Sequence, residues 1–276
     1  MSNSVLTNSA AAIALQNLTT TNNKLTDVQG RISTGLKVQG AKDNAAVWAI
    51  AQSQRADVGA LGAVKSSLDR ATSIADVARS AGESISDLLN QLKEKVVAAK
   101  DPSLKTQSRQ LLDADFTALL KAIQSAVDNA NFDGGNVLNG SLPTGLKFLA
   151  NADASAFVTL STQNLSLSGS ILSLGLNDTL MTLTGATTAL NKLDASITAV
   201  NAALGALGSQ AKQIEAHNTF VSKLTDTLES GIGNLVDADL AKESARLQAL
   251  QVQQQLGAQS LSIANQSPQV ILKLFQ

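Results

Sequence analysis

Residues 234–276 read NLVDADLAKESARLQALQVQQQLGAQSLSIANQSPQVILKLFQ, and their spacing decides how the rest of the chain must be arranged. Leu240, Leu247, Leu250, Leu261, Ala264, Ile271 and Phe275 recur at helical spacing, which places them on one stripe of a helix. Ala245, Ala249, Val252, Leu256, Ile263 and Leu274 form a second stripe that, at about 100° per residue, falls roughly opposite the first. A surface helix keeps one side in water, so a helix with two apolar faces needs two partners. Either it is the central helix of a monomeric bundle, or one face packs on its own chain and the other on a second molecule. The second arrangement makes Leu247, Leu250, Leu256, Leu261, Ile263, Ile271 and Phe275 candidate subunit-contact residues.

The other end of the chain is of the same kind. A helix is expected from about residue 4 to residue 36, with Ala11, Leu15, Leu18, Leu25 and Ile32 on a heptad-like seam interrupted by Asn22 and Gln29. Leu15, Leu18, Leu25 and Ile32 therefore join the candidate contacts. Gly35, Gly40 and the polar Lys42-Asp43-Asn44 cluster then read as a joint, and Ser230-Gly231-Ile232-Gly233-Asn234 reads as a second. These joints predict a terminal-helix domain, residues 1–40 with 235–276, and a second domain over residues 41–234.

The middle of the chain carries a longer periodicity. Leu61, Val64, Leu68, Ala71, Ala75, Ala78, Gly82, Ile85, Leu89, Leu92 and Val96 keep a three-four alternation, which specifies a long supercoiled helix from Ala45 to about Lys100. Asp101-Pro102-Ser103 stops it, with Ser103 placed to cap a shorter helix whose buried side is Leu112, Phe116, Leu119, Ile123 and Val127. Between about residues 130 and 185 the period changes, and Phe157–Ser161 and Leu165–Ser168 are expected as short strands. Helical spacing returns at Leu190 and runs to Ile232 as an antiparallel partner for the first long helix. The predicted fold is mainly α: a long antiparallel coiled-coil rod, paired terminal helices and a small β-hairpin region.

Composition narrows the function classes. Charged residues are 16% of the 276, below the roughly 25% of ordinary domains, and the net charge is −1, so no field gathers nucleic acid or an acidic membrane. With no Tyr and a single Trp, there is little for stacking on bases. No cysteine is present, which excludes disulfides and thiolate metal sites. The N-terminus MSNSVLTNSAAAIALQNL lacks a basic n-region, and no apolar run approaches the length of a membrane span.

Catalytic candidates are few. His217 is the only histidine, so neither a histidine-based metal cluster nor an HExxH site can be built, and it reads as an ordinary polar residue. Asp237 and Asp239 resemble a carboxylate pair but fall in the first turn of a helix, where capping accounts for them. Gly134-Gly135 is no phosphate loop, because no Lys-Ser/Thr follows it into a helix. No enzyme activity, cofactor or metal is expected.

Two motifs carry a family resemblance. Arg31-Ile-Ser-Thr-Gly-Leu-Lys followed by Ala41-Lys-Asp-Asn-Ala-Ala resembles the N-terminal pattern of bacterial flagellins, and Asp237-Ala-Asp-Leu-Ala-Lys-Glu-Ser with Ala264-Asn-Gln-Ser-Pro-Gln resembles their C-terminal one. The resemblance covers about the first 130 residues and the last 90, and it implies an extracellular filament subunit for swimming whose terminal helices line an inner tube. It further implies export without a cleaved signal through the flagellar type III apparatus. Implied partners are the chain itself, other flagellins, hook-associated and cap proteins and an export chaperone. Large outer variable domains are absent. Some family members are read by an innate immune receptor through an Arg- and Leu-containing run, where this chain has Gln91 and Lys95. A hook–filament junction protein, or a cytoplasmic coiled-coil adaptor from a different class, remains as an alternative.

Overall fold

A computed structural model describes residues 7–273, with side chains through residue 266. Among the described residues there are five helices, α1 (Ser9–Thr34), α2 (Ala45–Ala99), α3 (Thr106–Asn129), α4 (Leu183–Val236) and α5 (Leu240–Lys273), and two strands, β1 (Leu146–Leu149) and β2 (Phe157–Leu160). None of these helices is long and apolar enough to cross a membrane. The chain divides into two compact units, Met1–Ala56 with Thr227–Gln276, and Asp57–Asp226. The sequence places its joints near residues 40 and 234, whereas these divisions fall inside α2 and α4.

In the unit spanning Asp57–Asp226, the alternation along α2 is a buried seam: Leu61, Val64, Leu68, Ala71, Ala75, Ala78, Ile85, Leu89, Leu92 and Val96 are all enclosed. Apolar side chains every three and four residues leave water together only against another helix with the same repeat. That helix is α4, and it runs antiparallel. Lys93 pairs with Asp194 at 2.7 Å, Gly82 lies against Leu204, and Asn218 donates to Asp69 at 2.7 Å, so the α4 number falls as the α2 number rises. α3 folds back along the C-terminal part of α2, where Lys95 meets Asp115 at 2.7 Å. The buried Arg109 reaches from α3 to the carbonyls of Ala99 and Asp101, closing the C-terminus of α2.

Four local expectations need correction. Ser103 does not cap α3: the N-cap position is Lys105 without a side-chain bond, and Ser103 donates its backbone N–H and hydroxyl to Asp101 instead. The enclosed leucine of α3 is Leu120, with Leu119 half-buried beside it, because Leu120 continues the four-residue step from Phe116. Leu165–Ser168 is not a ladder strand. Leu165 N–H goes to the Leu138 carbonyl at 2.8 Å and Gln163 N–H to Val137 at 2.8 Å, so this segment pairs with an irregular stretch. The true partner of β2 is β1, antiparallel with Leu146 opposite Leu160 and Leu149 opposite Phe157. The glycine pair Gly231 and Gly233 lies inside α4, which stays helical to Val236 because its buried positions Ile232 and Val236 keep the repeat.

In the other unit the connections are short and tied down. Gly35 ends α1 in the left-handed conformation, φ 73°, which only glycine adopts without strain. Leu36 then forms an antiparallel bridge with Asp237: Lys37 N–H donates to the Val236 carbonyl at 2.7 Å and Ala238 N–H to the Gly35 carbonyl at 2.8 Å. Asp43 accepts from the backbone of Gln39 and Gly40, and Asn44 caps α2 through Val47 N–H at 3.1 Å.

Candidate assembly interface

α1 and α5 lie antiparallel, and three polar rungs fix their register. Asn8 donates to the Ala264 carbonyl at 2.7 Å, Gln254 donates to Asn22 at 2.7 Å, and Arg31 pairs with Glu243 at 3.3 Å. The start of α5 is set by Asp239, whose carboxylate accepts from Ala241 N–H at 3.0 Å and Lys242 N–H at 3.1 Å. Asp237 lies two residues earlier, with its backbone in the bridge to Leu36.

The α5 face toward α1 is Glu243, Leu247, Leu250, Gln254, Gly257, Leu261 and Ala264, all buried or half-buried. Leu250 is the most enclosed, at 6% exposure. At Gly257 the helices come so close that a Cβ would stand 3.3 Å from Leu18 Cδ1. The facing residues of α1 are Ala11, Ala14, Leu18, Thr21, Leu25, Val28 and Ile32, a three-four alternation with Thr21 and Val28 fully enclosed.

Placement of the predicted residues is therefore mixed. Leu18, Leu25, Ile32, Leu247, Leu250 and Leu261 meet within the pair. Leu15 does not lie on the α1 seam: Ala14 holds that position, and Leu15, about 100° further round, is 54% exposed. Leu240 begins the first stripe but faces the point where α1 has ended, and it too is exposed. The second stripe turns away from α1. Val252 is 55%, Leu256 57% and Ile263 64% exposed, with Ala245 and Ala249 also in water. The Ile271 side chain and all of Phe275 lie outside the described residues, as does Leu274.

Sequence reasoning missed Ile13, whose side chain is exposed beside Leu256 on the rim of a groove of about 580 Å³ between the two helices. Ala14, Thr21, Gly257 and Ala264 floor this groove. A helix-period count that includes small and polar residues would have found the α1 seam, and with it the position of Ile13 beside that seam.

The chemistry available is adhesive. His217 donates its Nε2–H to the Ala150 carbonyl at 2.7 Å, which ties α4 to the hairpin, and its ring lies against Phe220. Among the described residues no group of three or more His, Asp or Glu side chains is placed to hold a metal ion.

Comparison with known proteins agrees with both ends of this arrangement. The family described as "Bacterial flagellin N-terminal helical region" matches residues 5–142, and the one described as "Bacterial flagellin C-terminal helical region" matches residues 190–275. The chain is 54% identical over 278 residues to "Flagellin FljJ" of Caulobacter vibrioides, covering 100% of this chain and 99% of that one. It is 40% identical over 282 residues to "Flagellin" of Brucella melitensis, with 99% of both chains covered. A solved structure of a "putative flagellar hook-associated protein from Vibrio parahaemolyticus" shares the fold, with a TM-score of 0.55 at 13% identity over 71% of this chain and 100% of that one. With the N-terminal pattern on α1 to α3 and the C-terminal pattern on α4 and α5, in one chain of the relatives' own length, the protein belongs to the bacterial flagellin family.

Proposed function

We propose that this chain is a structural subunit of the flagellar filament and that the outward stripe of α5, with Ile13 and Leu15 of α1, is a subunit–subunit contact. The observation that carries this reading is the exposure of Val252, Leu256 and Ile263 on a helix whose opposite face is already packed. Three large apolar side chains in water on one face form a patch that association buries, at about 25 cal/mol per Å² removed from water. The predicted contacts then divide by role. Leu18, Leu25, Ile32, Leu247, Leu250 and Leu261 hold the pair together, and Leu15, Leu256 and Ile263 meet the neighbouring copy. An open helical array repeats one heterologous contact at every added subunit, so modest burial per subunit suffices for a long polymer.

The same reading makes the protein a non-enzyme that is extracellular in the filament and exported without a cleaved signal. Its partners are further copies, other flagellins, hook-associated and cap proteins, and a chaperone that covers the apolar stripe before export. The terminal helices line the filament core in this proposal. A junction role and a cytoplasmic adaptor role are not favoured, since the relatives matched over their full length are flagellins.

Leu256→Asp and Leu250→Asp test the division of roles. Leu256→Asp places an unpaired charge only in the contact between copies, where burial costs several kcal/mol, about 3 or more. It should keep the monomer's helical circular dichroism and thermal transition yet raise the critical concentration for filament growth by more than about a hundredfold. Leu250→Asp should separate α1 from α5 within one subunit as well. Normal filaments from Leu256→Asp would remove the outer stripe from the interface.

A further inference from the structure

We propose that Asn139–Gly140 is a site of spontaneous backbone cyclisation, at which the Gly140 nitrogen attacks the Asn139 side-chain carbonyl and converts the amide to aspartate and isoaspartate. It is the only Asn-Gly pair in the chain. Three features of the folded turn favour the reaction. First, the carbonyl under attack is already polarised: Asn139 Oδ1 accepts from Ser141 N–H at 2.9 Å and from the Ser141 hydroxyl at 2.6 Å, two donors aimed at the atom where negative charge develops. Second, the attacking Gly140 N–H and the departing Asn139 amide nitrogen make no hydrogen bond among the described residues, so neither is held back. Third, Gly140 sits at φ 72°, and a Cβ there would stand 2.7 Å from Asn164 Nδ2. The turn therefore selects the residue that leaves the backbone nitrogen least shielded.

The steps balance without any oxidant. Solvent hydroxide removes the Gly140 amide proton, and the nitrogen forms a bond to Asn139 Cγ. The tetrahedral intermediate, its oxyanion held by the two Ser141 donors, collapses by expelling the side-chain nitrogen as ammonia, which takes up a proton. Water then opens the five-membered imide at either carbonyl. One water is consumed, one ammonia leaves, and the chain gains a carboxylate; opening at the backbone carbonyl also reroutes the main chain through the former side chain.

The neighbouring Asp133–Gly134 is a contrast. Its side chain is a carboxylate paired with Arg70 at 3.3 Å, and it carries no amide nitrogen to expel. The cost of conversion at Asn139 is structural. Its N–H goes to Asn136 Oδ1 at 3.2 Å and its carbonyl accepts from the Ser166 hydroxyl at 3.1 Å, so the turn ties residues 136–141 to 164–166. Isoaspartate would release that tie.

The experiment is a time course at mildly alkaline pH on the full chain, folded and urea-unfolded at matched pH, read by peptide mass spectrometry as a gain of about 1 Da from amide to acid. The folded chain should convert Asn139 about tenfold faster than the unfolded chain, with the rate rising with hydroxide. Ser141→Ala should slow the folded reaction several-fold and Ser141→Thr, which keeps the hydroxyl, should restore it. A folded rate equal to or below the unfolded one overturns the proposal whatever the variants do. So does an unchanged rate in Ser141→Ala whose thermal transition matches the native chain.

Discussion

Arg109 shows how one side chain can end a helix. Its guanidinium is enclosed and bonds the carbonyl of Ala99, in the last turn of α2 where carbonyls lack intrahelical partners, and that of Asp101 just beyond the helix. Arg109→Met keeps the apolar stem but removes the donor from the buried Ala99 carbonyl and one of two from Asp101, and should lower the stability of the chain by about 3 kcal/mol in denaturant unfolding. Lysine, a single point donor in place of a planar fork, should recover less than half of the loss. Beside it, Asp101 accepts from Ser103 N–H and then from the Ser103 hydroxyl, and with the Arg109 charge these hold its carboxyl below the ordinary aspartate range. Because the folded value is the lower one, the stabilisation is complete above the unfolded pKa, about 4, and is lost as pH falls through the folded value. The gap in melting temperature between the native chain and Asp101→Asn should therefore be constant near neutrality and close as the pH is taken below about 4. A gap that widens on acidification would refute the assignment.

Among the elements, the long helices were readable and the hairpin was only half so. α2 appears in the sequence because its apolar positions follow one unbroken repeat, and the ends at Ala45 and Ala99 carry visible stop chemistry in Asn44 and Asp101-Pro102. β1 offers no such signal. Leu-Lys-Phe-Leu alternates for barely one period, and what makes it a strand is the Gly145 turn, φ 71°, together with the loop to β2, in which Ser155 bonds both Asn151 and Asp153. A Cβ on Gly145 would collide with the Leu160 carbonyl as well as sit at a positive φ. Gly145→Ala should consequently cost about 2 kcal/mol and release amide protection at Leu146–Leu149 before the helices lose theirs. Leu165 misled for a related reason: its apolar-polar alternation is real, yet its backbone partner is the irregular 137–138 segment, which no local pattern announces. On α4 the two glycines looked like a hinge, and the buried Ile232 and Val236 outweighed their propensity.

At the scale of the molecule, the two stripes of α5 were legible from spacing alone, while the composition of the seam was not. Favouring leucine over alanine selected Leu15 over Ala14, and counting apolar residues alone passed over Thr21, Gln254 and Gly257, which lie between the helices. That seam is poor in large enclosed side chains, with Leu250 and Val28 its most buried apolar members. Burial at about 25 cal/mol per Å² then struggles against an ordering cost of about 1–2 kcal/mol per residue. Residues 9–34 and 240–266 should exchange their amides rapidly in dilute monomer and become protected in the filament. Strong protection of both stretches at low concentration would show that the pair needs no second copy.

The three rungs between α1 and α5 have a mechanical meaning. Asn8–Ala264, Asn22–Gln254 and Arg31–Glu243 are spread along the pair, with the last two about 14 Å apart at 1.5 Å of rise per residue. A pull along the helix axes strains all three together, and slipping by one heptad breaks all of them before any new one can form. A pull that peels the helices apart loads one rung at a time. The pair is therefore a shear joint, stiff against sliding up to a threshold and weak against peeling, so that its hold on a load depends on the direction of the pull.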